Sequence, residues 1–420
     1  MDQLLQHPFA YLSGPAGTGK TFLARQVVEQ EGDRAVLCAT TGIAAVNLGD
    51  ATTINVLLSY FDTQSLLEHY AAGYLQYRLR MLRRSGIRRI VLDEVSMMDA
   101  DQLTTLCAAI DEIDQKKIYD QDLEQVRWTT DDDGRLKLLL VGDFAQLPPV
   151  KAPFAFESPV WERFAEHTYT LTTIRRQGDE TFIQGLQSVR LGRPADAVGI
   201  FAPRMVQSLD FDFKGTTIVS KNDAVDRINT LRFAKLAGKD LTYQTRRTGE
   251  QEKDWIRLIP EQLTLRQGAL VMCLANKPYP RLEDEPTSRY YYVNGDLATV
   301  VGPDPNGIKV MLHRTFEEVI VTPAVKEKKI PTGKKNPRWE IKGTCTYMPL
   351  RLAYATTVHK SQGLSLDEVQ VSIVDGFFAS PGMMYVALSR CRTLEGLRIV
   401  GNPKMFCGRA GVDRRVEKYL

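Results

Sequence analysis

The chain has 420 residues, 43% of them hydrophobic, and a formal net charge of +3, which suits two or three soluble globular domains with cores of their own. No apolar run approaches the roughly 18 residues that a membrane span needs, and the N-terminus lacks the basic-then-apolar pattern of a signal peptide. The near-neutral balance neither requires nor excludes nucleic acid, since a local groove can be basic on such a chain. Six cysteines (38, 107, 273, 345, 391 and 407) are scattered, with no C-x-x-C and no histidine at zinc spacing. They read as reduced thiols of a cytosolic or nucleoid protein rather than as a metal site.

In chain order, Phe9–Ser13 reads as a strand feeding a glycine-rich loop, and residues 22–29 have helical spacing. Ala35–Ala39, Arg89–Asp93 and residues 136–141 are further strand-sized apolar runs, each followed by polar residues. Strands that are apolar on both faces predict a parallel sheet covered by helices on both sides, with functional residues at the carboxyl ends. Residues 111–134 are acidic, with 131–134 as a turn, and read as a solvated insertion. Residues 75–89 interleave six arginines with Leu, Met and Ile, and two readings stand open: a solvated helix face or a DNA-facing stripe.

After Pro260 the pattern changes to short Val-, Tyr- and Thr-rich runs with turns at 293–295 and 305–307, which is hairpin chemistry. Residues 324–343 are Lys-rich and predict an exposed hairpin or loop, and the α/β pattern resumes at Leu350. The expected organisation is a first α/β domain over 1–170 and a second over 171–420, the latter interrupted by a β-rich insert at about 262–348.

Gly14-Pro15-Ala16-Gly17-Thr18-Gly19-Lys20-Thr21 matches G-x-x-x-x-G-K-[ST] between a strand and a helix. Its backbone N–H groups form a nest for phosphate oxygens, reinforced by the helix dipole. Lys20 would reach the terminal phosphates of ATP and Thr21 would place its hydroxyl on Mg²⁺. Asp93 and Glu94 follow an apolar strand; Asp93 suits the Mg²⁺ shell and Glu94 suits the attacking water. Gln146, in Val141-Gly142-Asp143-Phe144-Ala145-Gln146-Leu147-Pro148-Pro149, carries an amide that can sense the γ-phosphate, and the two prolines stiffen the loop beyond it. A phosphoryl-transfer site also needs cations on the leaving group, and Arg176 and Arg390 are candidates. From spacing alone each is an ordinary surface arginine.

These motifs in this order resemble superfamily-one DNA helicases of the 5′-to-3′ branch, the Pif/RecD-like group, and within it the Pif helicases. The resemblance rests on the glycine loop, Ala39-Thr40-Thr41-Gly42-Ile43-Ala44-Ala45, Leu92-Asp93-Glu94-Val95-Ser96-Met97, the Gly142-to-Pro149 run, Arg175-Arg176-Gln177, Val358-His359-Lys360-Ser361-Gln362-Gly363 and Tyr385-Val386-Ala387-Leu388-Ser389-Arg390. It implies two RecA-like P-loop domains with ATP and Mg²⁺ in a cleft, a small wedge insertion at about 54–75, and a barrel-like β insertion in the second domain. It implies that Arg176 and Arg390 are arginine fingers, and that Gln362 and Gly363 join the ATP cleft to the nucleic-acid path. Thr40, Thr41, Pro148, Pro149, Thr357, His359 and Lys360 would line that path for single-stranded DNA and single-strand/duplex junctions. In the wedge, Tyr60 and Phe61 either stack on a base or belong to the core, and Lys326, Lys328, Lys329, Lys334 and Lys335 either cover the strand or are solvated.

The sequence departs from the family twice. A glutamine that reads adenine usually stands upstream of the loop, and here only Gln3 and Gln6 precede it, too close to serve. Asn55 stands where the family often has histidine and can donate a hydrogen bond to DNA but not a charge. The implied activity is ATP-dependent 5′-to-3′ translocation and unwinding by a protein that acts as a monomer, with no membrane, in a bacterial or phage-like cytoplasm at the nucleoid. DNA repair, recombination, telomere maintenance and G-quadruplex processing are the associated settings. An RNA helicase of the same superfamily and an ATP-switched clamp are the competing readings; stimulation by RNA against DNA separates the first, and turnover the second.

Overall fold

In the computed structural model, all residues are described except 1, 42–43, 46–47, 49–50, 121–124, 131–134, 252–254, 257–258, 276, 279–289, 293–294, 314 and 333–337. The expected turns at 131–134 and 293–295 therefore lie wholly or partly outside the described residues, as do Lys334 and Lys335.

The first half builds one sheet from six strands: β1 (Phe9–Ser13), β2 (Ala35–Ala39), β3 (Thr52–Thr53), β4 (Arg89–Asp93), β5 (Lys137–Val141) and β6 (Thr168–Thr170). Their order is β3-β2-β4-β5-β1-β6, and every neighbouring pair is parallel. Alternation across the pleat explains the continuous apolar runs. Leu138 and Leu140 enter a core with Tyr11, Leu92 and the Ala100–Asp114 helix, while Leu139 and Val141 pack on the other face with Leu12, Ala24 and Val27. The chain's end returns to the first core, where the Tyr419 ring lies 4.5 Å from Phe156 and 5.5 Å from Phe144.

By contacts, residues 1–209 and 358–420 form one unit and residues 210–357 another. The first unit also holds a parallel set, Val369–Ser372, Leu397–Val400 and Met205–Val206. In the second unit Thr216–Val219 pairs in parallel with Ala355–Thr357. Beside that pair lies an antiparallel sheet ordered Glu318–Val321, Gly307–Leu312, Leu297–Asp304, Leu270–Cys273, Leu350–Leu352. Leu265, Val271, Val300, Val310 and Leu350 fill its core. Antiparallel structure begins at Leu241–Gln244, which pairs with Gln262–Leu265, and the Lys-rich segment is the hairpin Ala324–Thr332 with Arg338–Tyr347.

The arginine run resolves into parts. It forms the Tyr74–Arg84 helix, with Leu75 and Leu79 buried. Arg78 donates to the Leu57 carbonyl and Arg83 to Asp114, while Arg80 and Arg84 are exposed. Arg89 is fully buried at the start of β4: its Nε lies 3.0 Å from both Glu31 oxygens and its Nη2 donates to the Leu5 carbonyl at 2.8 Å. Removing Arg89 leaves the half-buried Glu31 carboxylate and the Leu5 carbonyl without their donor, a loss of part of the about 3–5 kcal/mol that breaking a fully buried pair costs. Arg89→Leu should therefore lower the urea midpoint markedly, whereas Arg80→Leu on the exposed face should leave it within error; equal small effects would refute the structural role given to Arg89.

Candidate nucleotide site and nucleic-acid interface

The loop after β1 turns through three left-handed or near-left-handed glycines, Gly14, Gly17 and Gly19, with φ of 146°, 85° and 93°. Only glycine adopts these without strain, and a Cβ on Gly14 would also sit 2.4 Å from the Leu171 carbonyl oxygen. Lys20 starts the following helix and folds back over the loop, donating from Nζ to the carbonyls of Gly14 at 2.7 Å and Pro15 at 2.9 Å. Burial holds the Lys20 ammonium below its ordinary range, opposed by Asp143, Glu94 and Asp93.

The carboxyl ends of β4 and β5 supply the acidic and amide groups. Thr21 Oγ1 donates to Asp93 Oδ2 at 2.7 Å, and Asp93 Oδ1 accepts from the Glu94 N–H at 2.8 Å. The adjacent hydroxyl and carboxylate offer oxygen ligands of the kind a hard divalent cation takes alongside phosphate oxygens and water. No cluster of three or more His, Cys, Asp or Glu that could form an all-protein cage occurs among the described residues. Glu94 takes left-handed backbone angles (φ 58°, ψ 42°), which turns it out of the strand line toward the pocket. Burial, with the Asp93 charge next, pushes its carboxyl up to about 7. Gln146 is buried, and its Oε1 has no hydrogen-bond partner among the described residues, as befits an acceptor reserved for a ligand or water.

Residues far along the chain complete the pocket, a cavity of about 330 Å³. Arg176 and Arg390 both line it, as does Gly363. The Arg175 and Arg176 N–H groups donate to the Gly17 carbonyl, and Arg176 Nη1 donates to the Ser389 carbonyl at 3.2 Å. Arg390 is 1% exposed and held by the carbonyls of Val386 and Leu364 and by Ser389 Oγ. Burial and the nearby Arg176 charge lower its guanidinium to about 9. Gln362 Nε2 donates to Glu94 Oε2 at 3.0 Å, so the Val358–Ser361 helix is tied directly to Glu94.

Three residues of this site were not singled out from the sequence. The Ala16 N–H of the glycine loop donates to Tyr385 Oη at 2.7 Å, and that hydroxyl donates to Asp143 Oδ2 at 3.2 Å. Arg190 closes the chain from the far side, with Nη2 3.0 Å from Asp143 Oδ1, both side chains buried. Asp143 also accepts from the Ala145 N–H, which fixes the turn that presents Gln146. Tyr385 and Asp143 stand inside quoted motifs, so their position was a signal; nothing around Arg190 marks it.

The residues assigned to a nucleic-acid path divide by exposure. Phe61 is 63% exposed and Tyr60 is a core residue, so adjacent aromatics serve opposite roles. Asn55 Nδ2 donates to the Phe61 carbonyl and braces that turn. Thr40 Oγ1 donates to the Glu94 carbonyl at 2.7 Å, and Thr41 Oγ1 accepts from the Ala44 N–H. Pro148 is half-buried, Pro149 is buried, and Val150 beyond them is exposed. His359 is exposed and Lys360 half-buried on the short helix that leads to Gln362; Thr357 is buried at the end of its strand. Gln6 is exposed in the Asp2–Gln6 helix.

Comparison with known proteins is consistent along the whole chain. Residues 4–197 match the model of the PIF1-like helicase family. The ATP-dependent DNA helicase Pif1 of Bdellovibrio bacteriovorus is 30% identical over 417 residues, covering 96% of this chain and 87% of that protein. Human ATP-dependent DNA helicase PIF1 is 31% identical over 418 residues, and the chain spans 58% of that relative's length. The crystal structure of Pif1 helicase from Bacteroides in complex with ADP-AlF3 and single-stranded DNA superposes with a TM-score of 0.64 at 25% identity, covering 100% of this chain and 94% of that one. These likenesses agree with the parallel sheets and the two RecA-like domains read from the motifs, and the chain belongs to the PIF1-like helicase family.

Proposed function

We propose that this chain is an ATP-dependent DNA helicase that moves 5′-to-3′ on single-stranded DNA and unwinds duplex ahead of it. The observation that carries the reading is one pocket in which the glycine loop, Asp93, Glu94, Gln146, Arg176 and Arg390 converge while Gln362 links Glu94 to the helix bearing His359 and Lys360. The Bacteroides relative captured with ADP-AlF3 and single-stranded DNA supports it. The two RecA-like halves are taken as 1–170 and 171–420, and the protein as acting as a monomer in a bacterial or phage-like nucleoid.

In this reading Lys20 leaves the loop carbonyls to pair with the terminal phosphates of ATP. Thr21 and Asp93 would hold Mg²⁺, which when bound neutralises charge on the phosphate oxygens. Glu94 orients and deprotonates the attacking water, and Gln146 donates from its amide N–H to the γ-phosphate while its free oxygen accepts from that water. Arg176 and Arg390 stabilise the charge that develops on the leaving group, a role worth about 10³–10⁵ in rate for such fingers. Thr40, Thr41, Asn55, Phe61, Pro148, Pro149, Thr357, His359 and Lys360 would hold backbone phosphates and bases without reading sequence. Tyr385 is a positioning residue: its hydroxyl joins the glycine loop to Asp143, which fixes the turn that carries Gln146 on to Pro148.

A strand-displacement assay on tailed duplexes tests the reading. Wild type should unwind a duplex with a 5′ tail and not one with a 3′ tail, and Lys20→Ala should abolish both unwinding and DNA-stimulated ATP hydrolysis. Preference for the 3′ tail, or undiminished hydrolysis by Lys20→Ala, would sink it.

Glu94 must be deprotonated to act as a base, and its carboxyl lies near 7 rather than near its ordinary value. The kcat/KM for ATP reports the free enzyme's groups. It should therefore fall with unit slope as pH drops below about 7, and should not fall on the alkaline side through this group. An acid limb that persists unchanged in Glu94→Gln would show that Glu94 is not the base.

Tyr385→Phe leaves the Ala16 N–H without its partner and removes one bond from Asp143. The maximal DNA-stimulated rate should drop about tenfold, equivalent to about 1.4 kcal/mol, with KM for ATP and single-strand affinity nearly unchanged. An equal loss in all three would point to misfolding instead of lost coupling.

A further inference from the structure

At the amino ends of β4 and β5 lies a second cavity, of about 420 Å³, lined by Leu5, Gln30, Glu31, Arg34, Arg88, Arg135 and Lys137. The strands between it and the nucleotide pocket are five residues long, which at about 3.3 Å per residue sets the two roughly 15 Å apart on opposite edges of the sheet.

The charge around this cavity is unbalanced. Glu31 is its one carboxylate, and both of its oxygens already face the buried Arg89. Arg34 is exposed and its guanidinium makes no ion pair among the described residues. Among the described residues, Lys137 has one long hydrogen bond of 3.5 Å from Nζ to the Leu5 carbonyl. Burial holds its ammonium below the ordinary range, with Arg89 and Arg34 adding to the effect and Glu31 opposing it. Arg88 uses Nη1 on the carbonyls of Arg83 and Ile87, which fixes the guanidinium plane. Arg135 reaches its acids only at 3.8 Å and 4.0 Å. Guanidinium and ammonium donors around a cavity whose one lining carboxylate, Glu31, is already engaged by Arg89 match the tetrahedral oxyanion of a phosphate group.

We propose that this cavity is a phosphate-binding site, distinct from the nucleotide pocket, that takes a backbone phosphate of a second nucleic-acid strand, such as the one displaced during unwinding. This source rests on the helicase reading above; a free oligophosphate is the alternative source of the same group.

The test uses the full chain with Arg34→Glu, Lys137→Gln and the double variant, with folding checked by Tm; Arg34→Ser, at an exposed position, serves if the Lys137 change disturbs the strand. Binding is measured by anisotropy against increasing salt on a single strand and on a fork with two single-stranded tails. Each phosphate contact to a single strand contributes about −0.7 to the log K against log salt slope. The double variant should therefore lose roughly 0.7 in slope on the fork, the share of the one phosphate held here, with single-strand binding and basal ATP hydrolysis unchanged. Thermal shifts with inorganic pyrophosphate form the second arm. A shift in wild type that shrinks in the double variant, with fork binding unaltered, would keep the phosphate site and assign it to a free ligand. No change in either arm would overturn the proposal while the helicase reading stood, and an equal loss on single strand and fork would overturn it by placing these cations on the main track. Absence of any DNA binding by wild type would instead overturn the helicase reading.

Discussion

The pocket depends on a buried hydrogen-bond chain: Ala16 N–H to Tyr385 Oη, Tyr385 O–H to Asp143, and Asp143 to Arg190. Every member is shielded from water, so each bond is stronger than at a surface and each missing partner would be costly. The chain holds together four segments separated by up to 369 residues in sequence. It also removes one loop N–H from the set available to phosphate. The loop therefore cannot rearrange without moving the hydroxyl that supports Asp143, and with it the turn bearing Gln146. Close packing makes the same point sterically: a Cβ on Gly382, three residues before Tyr385, would lie 2.3 Å from the Gln146 carbonyl oxygen.

The pocket concentrates charge that only a ligand can balance. Asp93 is buried and the adjacent Glu94 half-buried, so they oppose each other's ionisation, while Arg176 and Arg390 do the same with opposite sign. Lys20 meets the acids electrostatically but spends its hydrogen bonds on loop carbonyls. Such mutual frustration suits a site whose partner is a polyanion with a divalent cation: the arginines gain a counter-charge and the carboxylates gain a cation, and the unmatched Gln146 oxygen gains a partner.

What was legible in the sequence was local. The strands Phe9–Ser13, Ala35–Ala39 and Arg89–Asp93 follow from apolar runs ending in polar residues, and the glycine loop from spacing that only a left-handed backbone requires. The edge strands Thr52–Thr53 and Thr168–Thr170 were not legible, being short and without an apolar run. Leu241–Gln244 was hidden likewise, because its Thr and Gln are exposed and its Leu and Tyr only half-buried. Nothing local distinguishes Tyr60, in the core, from Phe61, at the surface; the Thr53-capped helix Ile54–Leu58 and its left-handed Ser59 decide which ring turns inward. Arg190 is the clearest case, since an arginine at the end of an amphipathic helix looks solvated until its partner 47 residues away is known.

The same sheet explains why its two edges carry different chemistry. In a parallel sheet every crossover begins at a carboxyl end, so loops, helix N-termini and their N–H groups collect there, and acids and amides can be aimed at a phosphate with divalent metal. The amino edge receives helix C-termini and strand starts instead. Its own acid, Glu31, ends the Lys20–Glu31 helix and is consumed by Arg89, which is buried because it opens a central strand. That pairing occupies the one carboxylate among the residues that line the cavity with Arg34, Arg88 and Lys137. The ion pair that anchors β4 thus has an electrostatic consequence at the surface: it leaves Arg34 and Lys137 without an ion pair among the described residues, which is what the proposed phosphate site draws on.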